Sequence, residues 1–322
     1  MSRPKLLLVN AGRLDWSADL DWSAVSHDTQ LFRYEDSSPS PLEIAARATA
    51  HQATILVTKE VVVDLSLLPS CVKLVVEAGT GHNNIVDAEG RESPERGIAV
   101  CNVPGYSTDA VAQLVATHLL SFSSSLVQQQ RALASGDRSH FASLAHVPLF
   151  ELAGKTLGLV GAGAIATSVA RLAAALGMRV VVWSRSARDG PLWQAAPTLH
   201  SLLAQSDFVS LHCPLTPDTQ HMLGAVALSH MKRSAYLINT ARGAIIDEAA
   251  LIQALRAGAL AGAALDVTDP EPPAADSPLW TLPGVVLTPH IGWKRRETRQ
   301  RLVNEVGLNV SAFLSGQPRN LV

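Results

Sequence analysis

Ten short apolar runs, separated mostly by stretches with helical spacing, constrain the architecture of this chain more than any other feature. Four lie early: KLLLVN (5–10), ATILVT (53–58), VKLVVEAG (72–79) and IAVCNV (98–103). Six lie late: TLGLVG (156–161), RVVVWS (179–184), FVSLHC (208–213), AYLINT (235–240), GAALDV (262–267) and VVLTPH (285–290). Runs of this length, closed by polar or glycine residues, read as strands buried on both faces. Helical patterns such as PLEIAARATA (41–50) between them call for parallel strands joined by crossover helices. The expected class is α/β, with two doubly wound parallel sheets of the Rossmann type.

The segment VPGYSTDAVAQLVATHLLSFSSSLVQQQRAL links the two series and reads as one long helix, capped by Ser107 or Thr108, with Asp109 near its positive end. Its apolar residues Val111, Leu114, Val115, Leu119, Leu120 and Phe122 are too many for one buried face, so a homodimer contact is expected along it. The tail after residue 294 reads as a helix, with Leu302, Val306 and Leu308–Val310 on its apolar side. It completes the first strand series.

With 322 residues, 47% of them hydrophobic and 17% charged, the chain has material for two cores and is not a disordered chain. A net charge of −2 without a long basic run argues against nucleic acid and anionic membrane as partners. Cys71, Cys101 and Cys213 are scattered and have no metal-ligand spacing, so no metal site is expected and a reduced, cytoplasmic protein fits. The apolar part of MSRPKLLLVNAG is short for a signal peptide and runs into a strand pattern.

Gly161-Ala162-Gly163-Ala164-Ile165-Ala166 follows a strand and opens a helix whose Val169, Leu172, Ala173 and Leu176 share one side. The first glycine permits the tight turn, and the second lets backbone approach a diphosphate. Ala166 stands where only a small residue fits between helix and strand. The N–H groups of Ala164 and Ile165 are then available to the anion. In a dinucleotide site for NAD, an acid closes the second strand and grips the ribose. Here that strand ends in Ser184-Arg185. Serine removes the repulsion toward a 2′-phosphate, and arginine offers a planar donor fork. At ~4 Å and an effective dielectric of about 20, such a charge pair is worth about 4 kcal/mol before desolvation. The expected cofactor is NADP, as NADPH, with NAD as the second choice.

Three polar residues close late strands, on the edge where open α/β sheets bind ligands. Arg242 follows INTA, Glu271 lies in DVTDPEPP, and His290 ends VVLTPH. Each alone is bland; a lone histidine at a strand end is more often structural. Together they suit carbonyl reduction. His290 donates a proton near neutral pH. Glu271 stabilises and orients the imidazolium. Arg242 meets the carboxylate and polarised carbonyl of a 2-keto acid. Asp266, closing the preceding strand, is a candidate acceptor for the nicotinamide carboxamide.

The stretches LAGKTLGLVGAGAIA, HCPLTPDTQHML, MKRSAYLINTARGAIIDEAALIQAL, GAALDVTDPEPP and VVLTPHIGW resemble the D-2-hydroxyacid dehydrogenase family, most densely over 150–293. The resemblance implies a nucleotide-binding domain (103–291) inserted into a substrate domain (1–102 with 292–322), with subunits paired through the nucleotide domain. It implies that the catalytic trio is Arg242, Glu271 and His290. It adds Thr108, Cys213, Pro214, Thr240, Ala241 and Gly292 to Gly161, Gly163, Ala164, Ile165, Ser184, Arg185 and Asp266 as cofactor contacts. VVEAGTGHNNIVD resembles the loop whose backbone N–H groups hold the substrate carboxylate, which places Gly79, Thr80 and Gly81 at the substrate, with Arg242, His290 and Trp293. CNVPGYSTDAVAQL and PHIGW are most similar to the glycerate dehydrogenase (hydroxypyruvate and glyoxylate reductase) branch. His82 and the basic run Lys294–Arg296 depart from the pattern, and Glu271 stands where formate dehydrogenases carry glutamine. The expected activity is NADPH-dependent reduction of glyoxylate or hydroxypyruvate. The alternatives are NAD-dependent reduction of a larger 2-keto acid, and a dinucleotide-sensing binding protein of the corepressor type.

Overall fold

A computed structural model describes residues 3–87, 97–142 and 147–322. The chain divides into two compact units, residues 1–107 with 294–322, and residues 108–293. The divisions fall at Ser107/Thr108 and Trp293/Lys294 rather than at the expected 102/103 and 291/292.

The first unit runs β1 (Lys5–Leu8), α1 (Ala11–Leu14), α2 (Ser23–Ser26), β2 (Gln30–Arg33), α3 (Pro41–His51), β3 (Ile55–Thr58), β4 (Val63–Asp64), β5 (Leu74–Glu77), β6 (Ile85–Val86) and β7 (Ala99–Cys101). Five strands form one parallel sheet in the order β2-β1-β3-β5-β7, and β4 pairs with β6. Helix α3 starts at a capping box: Ser40 accepts from the Glu43 N–H, and the Glu43 carboxylate accepts from the Ser40 N–H. Its Ile44 and Ala48 pack into a core with Leu7, Leu56, Val75 and Val100. The C-terminal helix Arg296–Leu314 belongs to this unit. Leu302, Val306 and Val310 face inward as expected, but Leu308 is exposed and Asn309 is buried instead. The Asn309 amide donates to Asn102 O at 2.8 Å. Gly307 allows α2 to approach, since a Cβ there would lie 2.6 Å from Ala24 O. The last residues return along β7: the Asn102 N–H donates to Asn320 O and the Val322 N–H to Val100 O, both at 3.1 Å.

The second unit opens with α4 (Thr108–Ser123) and α5 (Leu126–Ala134). The single long helix expected here is broken, with a bend of 65°. Ser125 sits between the two pieces at φ 47°, and its hydroxyl donates to Pro148 O rather than continuing the helix. The hydroxyl of Ser124 donates back to Leu120 O, a competition with helical bonding typical of serine. Val111, Leu114, Val115, Leu119 and Phe122 are buried, and Val115, Leu119 and Phe122 belong to the core of this unit; of the apolar residues counted along α4 only Leu120 is exposed. No single helix among the described residues is long and apolar enough to cross a membrane.

After α5 come β8 (Thr156–Val160), α6 (Ala164–Ala175), β9 (Arg179–Trp183), β10 (Gln194–Ala195), α7 (Leu199–Gln205), β11 (Phe208–Leu211), α8 (Ala225–Ser229), β12 (Tyr236–Asn239), α9 (Glu248–Arg256), β13 (Gly262–Leu265) and β14 (Val285–Leu287); the C-terminal helix is α10. The seven strands form a parallel sheet in the order β10-β9-β8-β11-β12-β13-β14. The order reverses at β8, so the crevice between the exits of β8 and β11 is the expected ligand-binding edge. Val169, Ala170 and Ala173 of α6 pack with Val115, Leu119 and Phe122 of α4 over Leu157 and Leu159 of β8. Ala166 is fully buried there, as the need for a small residue implies.

Candidate active site

The turn after β8 is built for an anion. Gly161 adopts φ 108°, and a Cβ on it would lie 2.7 Å from the carbonyl of His212, so glycine alone lets the exits of β8 and β11 approach. Gly163 is the N-cap of α6, and no side chain caps that helix. A Cβ built on Gly163 meets nothing within 4 Å, and Ala162, Gly163 and Ala164 are exposed. Open space above uncapped helix N–H groups fits a dinucleotide diphosphate. Around this edge three buried polar atoms have no partner among the described residues: Ser184 Oγ after β9, His212 Nε2 after β11 and Thr240 Oγ1 after β12. Burial pushes the His212 imidazole down to about 4, so it is neutral at physiological pH. Cys213 is half-buried and Pro214 exposed, both just past β11. Thr108 opens α4, and the carboxylate of neighbouring Asp109 accepts the Ser168 hydroxyl from α6 at 2.9 Å.

Arg185 is 88% exposed at the end of β9, and its guanidinium lies 3.9 Å from the equally open carboxylate of Asp218. A pair this solvated is worth little to the fold, so Arg185 is available to an incoming anion.

The strand exits beyond β11 carry the polar trio. Asn239, fully buried at the end of β12, accepts the Ala241 N–H at 3.0 Å and donates to Arg242 O at 2.8 Å. These two bonds set the turn Thr240-Ala241-Arg242. Arg242 is half-buried and donates to Ala241 O. Gly243 follows because the loop after β13 presses on it; a Cβ would lie 2.1 Å from the Thr268 carbonyl. That close approach brings the loops of Arg242 and Glu271 side by side. His290 Nδ1 lies 2.8 Å from Glu271 Oε1, with the two side chains 20% and 35% exposed.

Asp266 directly follows β13 and is tied to the turn that follows β14. Its carboxylate is almost fully buried and accepts the Thr288 hydroxyl (2.6 Å), the Ile291 N–H (2.8 Å) and the Gly292 N–H (2.9 Å). It therefore clamps the turn on which His290 sits, and burial raises its carboxyl above the ordinary range. Gly292 packs against it; a Cβ would lie 3.1 Å from Asp266 Oδ2. Trp293 is buried beside this turn.

The loop Gly79-Thr80-Gly81 follows β5 in the first unit. The Val103 N–H donates to Gly79 O, Asn102 Nδ2 donates to Thr80 O, and the Thr80 hydroxyl donates to Val103 O. With its carbonyls engaged, the N–H groups of Thr80 and Gly81 donate to nothing among the described residues. His82 is half-buried after the loop. Lys294 and Arg295 precede α10, and Arg296 begins it, bonded to Asp19.

Lys59 and Glu77 lie behind the loop and were not singled out by motif. Lys59, at the end of β3, is 2% exposed, and its Nζ is 2.6 Å from Glu60 Oε1. Glu77, ending β5, is fully buried. Burial pushes its carboxyl up to about 7 against the pull of Lys59 and Asn84. A charged residue closing each of two buried strands, in TKE and VVEAG, is the signal that could have found them.

A family model for the D-isomer specific 2-hydroxyacid dehydrogenase NAD-binding domain matches residues 116–292. The chain is 36% identical over 296 residues to a glycerate dehydrogenase of Methylorubrum extorquens, covering 90% of this chain and 91% of that one. It is 39% identical over 305 residues to a glyoxylate reductase of Thermococcus litoralis, covering 92% and 90%. It superposes on an NADPH-dependent glyoxylate/hydroxypyruvate reductase of Sinorhizobium meliloti, solved with NADP and malonate, with a TM-score of 0.82, 27% identity and coverage of 100% and 97%. A dinucleotide crevice at the switch point, the trio at the strand exits and these matches agree: the chain belongs to the D-2-hydroxyacid dehydrogenase family and is an oxidoreductase.

Proposed function

We propose that the protein is an NADPH-preferring reductase of small 2-keto acids, glyoxylate or hydroxypyruvate, with His290 as proton donor. The observation that carries the reading is the His290–Glu271 contact of 2.8 Å at Nδ1, beside the Arg242 loop. Gly161, Gly163, Ala164 and Ile165 hold the diphosphate. Thr108, Cys213, Pro214, Thr240, Ala241 and Gly292 line the rest of the cofactor, with Asp266 as acceptor for the nicotinamide carboxamide. When bound, the reduced nicotinamide supplies a hydride to the carbonyl carbon. Arg242 draws charge onto the carbonyl oxygen as the C=O π bond opens. His290 then gives its Nε2 proton to that oxygen, forming the hydroxyl, and the neutral ring stays oriented by Glu271. Thr80 and Gly81 offer their open N–H groups to the substrate carboxylate, Gly79 lets the backbone come close, and Trp293 backs the turn that carries His290. The printed names of the relatives, which act on glyoxylate, hydroxypyruvate and glycerate, support the substrate class.

The NADP preference rests on Ser184 and Arg185. The serine presents no charge to a 2′-phosphate, and Arg185 has only a solvated partner to give up. A homodimer through the unit that carries the dinucleotide fits the surface of α5, none of whose residues is buried. Leu126, Leu133, Phe141 and Leu149 are exposed along α5 and the segment that follows. Initial rates with glyoxylate, hydroxypyruvate, pyruvate and phenylpyruvate, each with NADPH and NADH, test the reading. No turnover of any 2-keto acid would sink it, and equal rates with both cofactors would sink the preference.

A further inference from the structure

We propose that Lys59, working with Glu77 and Tyr106, is a positioning residue for the substrate carboxylate: it braces the Gly79–Gly81 turn from behind and lends that turn a buried positive charge. The inference rests on the reading of this turn as the carboxylate site.

Thr58 and Glu77 are register partners on adjacent strands β3 and β5, so Lys59 leaves its strand beside Glu77. Asn10 fixes the Lys59 backbone, accepting from its N–H at 3.1 Å and donating to its carbonyl at 2.8 Å. The ammonium then reaches Glu60 and hydrogen-bonds the Tyr106 hydroxyl. Glu77 Oε2 accepts from Asn84 Nδ2 at 2.8 Å, and its Oε1 accepts the Glu60 N–H at 3.2 Å. Arg13 holds the far oxygen of Glu60 at 3.2 Å. Both charges press on the turn: a Cβ built on Gly79 would lie 3.0 Å from Lys59 Nζ and 3.1 Å from Glu77 Oε1.

A well-packed apolar pair would stabilise this position at least as well, because charges removed from water cost more than their attraction returns unless geometry is ideal. The network is better explained by what it faces. The carbonyls of Gly79 and Thr80 are tied to Val103 and Asn102, and the N–H groups of Thr80 and Gly81 are left for an anion. An ammonium behind such a face favours a carboxylate in front of it. The groups that face Glu77 are Lys59, Glu60, Tyr106 and Asn84. Lys59 stays cationic, its carboxylate and phenol neighbours outweighing its burial. Glu77, pushed up to about 7, loses its proton across neutral pH and sets a negative charge beside Gly79. The KM for a 2-keto acid should therefore climb between about pH 6 and 8.

The test compares Lys59→Met, Glu77→Gln and the double variant, in which Glu60 keeps Arg13 as its partner. KM and kcat for glyoxylate with NADPH are measured across that pH range, with NADPH affinity by fluorescence and melting temperature alongside. The double variant should melt near wild type and bind NADPH normally, while its KM for glyoxylate rises about tenfold or more, the order expected for one charge several ångströms from a carboxylate. Its kcat should fall much less. Glu77→Gln should keep a low KM and flatten its climb with pH. A double variant with wild-type KM, or a Glu77→Gln variant with an unchanged pH profile, overturns the proposal. Arg242→Ala, assayed in parallel, separates the two failures. If wild type reduces glyoxylate, Arg242→Ala does not, and the double variant is normal, only the role of Lys59 falls. If wild type reduces no 2-keto acid, the reading of the site falls and this inference with it.

Discussion

His290 holds a left-handed backbone, φ 51°, while its ring nitrogen Nδ1 sits 2.8 Å from Glu271. A β-carbon is disfavoured in that conformation, at a cost of order 1–3 kcal/mol, and it persists because the surroundings over-determine it. The His290 N–H donates to Asp266 O and Thr288 O, and the Asp266 carboxylate holds the next two N–H groups. His290→Asn should therefore fold and bind NADPH, yet lose about 10²–10⁴-fold in kcat. Glu271→Gln should lose less, because it keeps a bonding partner for the ring and removes only the charge. Near wild-type turnover of His290→Asn at neutral pH would end the assignment.

Gly243→Ala probes how the two loops meet. The added carbon would enter the Thr268 backbone, so the Arg242 and Glu271 loops must separate. The expected result is a loss of about 1–3 kcal/mol in stability, as for other overpacked sites, together with a fall in kcat. NADPH affinity should change little. A variant that melts and turns over like wild type would show that the contact is not needed.

Arg185→Ala should raise the KM for NADPH about tenfold and leave that for NADH nearly alone, as expected for a charge-assisted contact. Ser184→Asp should do more, since it adds repulsion toward the 2′-phosphate and a partner for a ribose hydroxyl. The preference should weaken as salt rises, because Arg185 stands in solvent. Equal damage to both cofactors would make Arg185 an ordinary surface residue.

Stability in acid should follow two histidines. Burial holds His118 and His212 neutral, pushing both from 6.5 down to about 4. The unfolded chain takes up protons at these positions below about pH 6.5, and the folded chain does so only near 4. Their contribution is thus full above the unfolded value and is lost as pH falls toward 4, by roughly 3 kcal/mol per histidine at most. His118→Leu, which also removes a buried Nε2 lacking a partner among the described residues, should make the fall of melting temperature between pH 7 and 4.5 shallower. An unchanged slope would show that His118 titrates freely.

Light scattering at micromolar protein should give the mass of a dimer. Leu126→Glu with Leu133→Glu should shift it toward the monomer, because both side chains are exposed on a helix none of whose residues is buried. A monomeric wild type would contradict the proposed pairing.

The strands were legible wherever both faces are covered, since an apolar run such as TLGLVG has no other low-energy place. β2 escaped notice because QLFR is an exposed-to-half-buried edge strand with no apolar run. The break at Ser125 escaped because α4 and α5 are each good helices, and only three consecutive serines hint at the turn. The apolar surplus on α4 misled in detail, because α6 and the sheet cover most of that helix. Arg242, Glu271 and His290 could be picked out as strand-end polar residues. What Asp266 does could not: its three partners lie 22 to 26 residues away, on a turn with no local signature. Lys59 and Glu77 pose the same difficulty, as a pair made by register.

The strip Asn320–Val322 that returns along β7 has a consequence for biosynthesis. The first unit draws on two separated stretches, residues 1–107 and 294–322, whereas residues 108–293 are contiguous. During translation the contiguous unit is fully synthesised, and free to close, before α10 exists. Until then the first sheet keeps its β7 edge and the surface that α10 covers exposed. The order of assembly is thus written into the topology: the contiguous unit 108–293 can close first, and the unit split between 1–107 and 294–322 can close only once α10 is made.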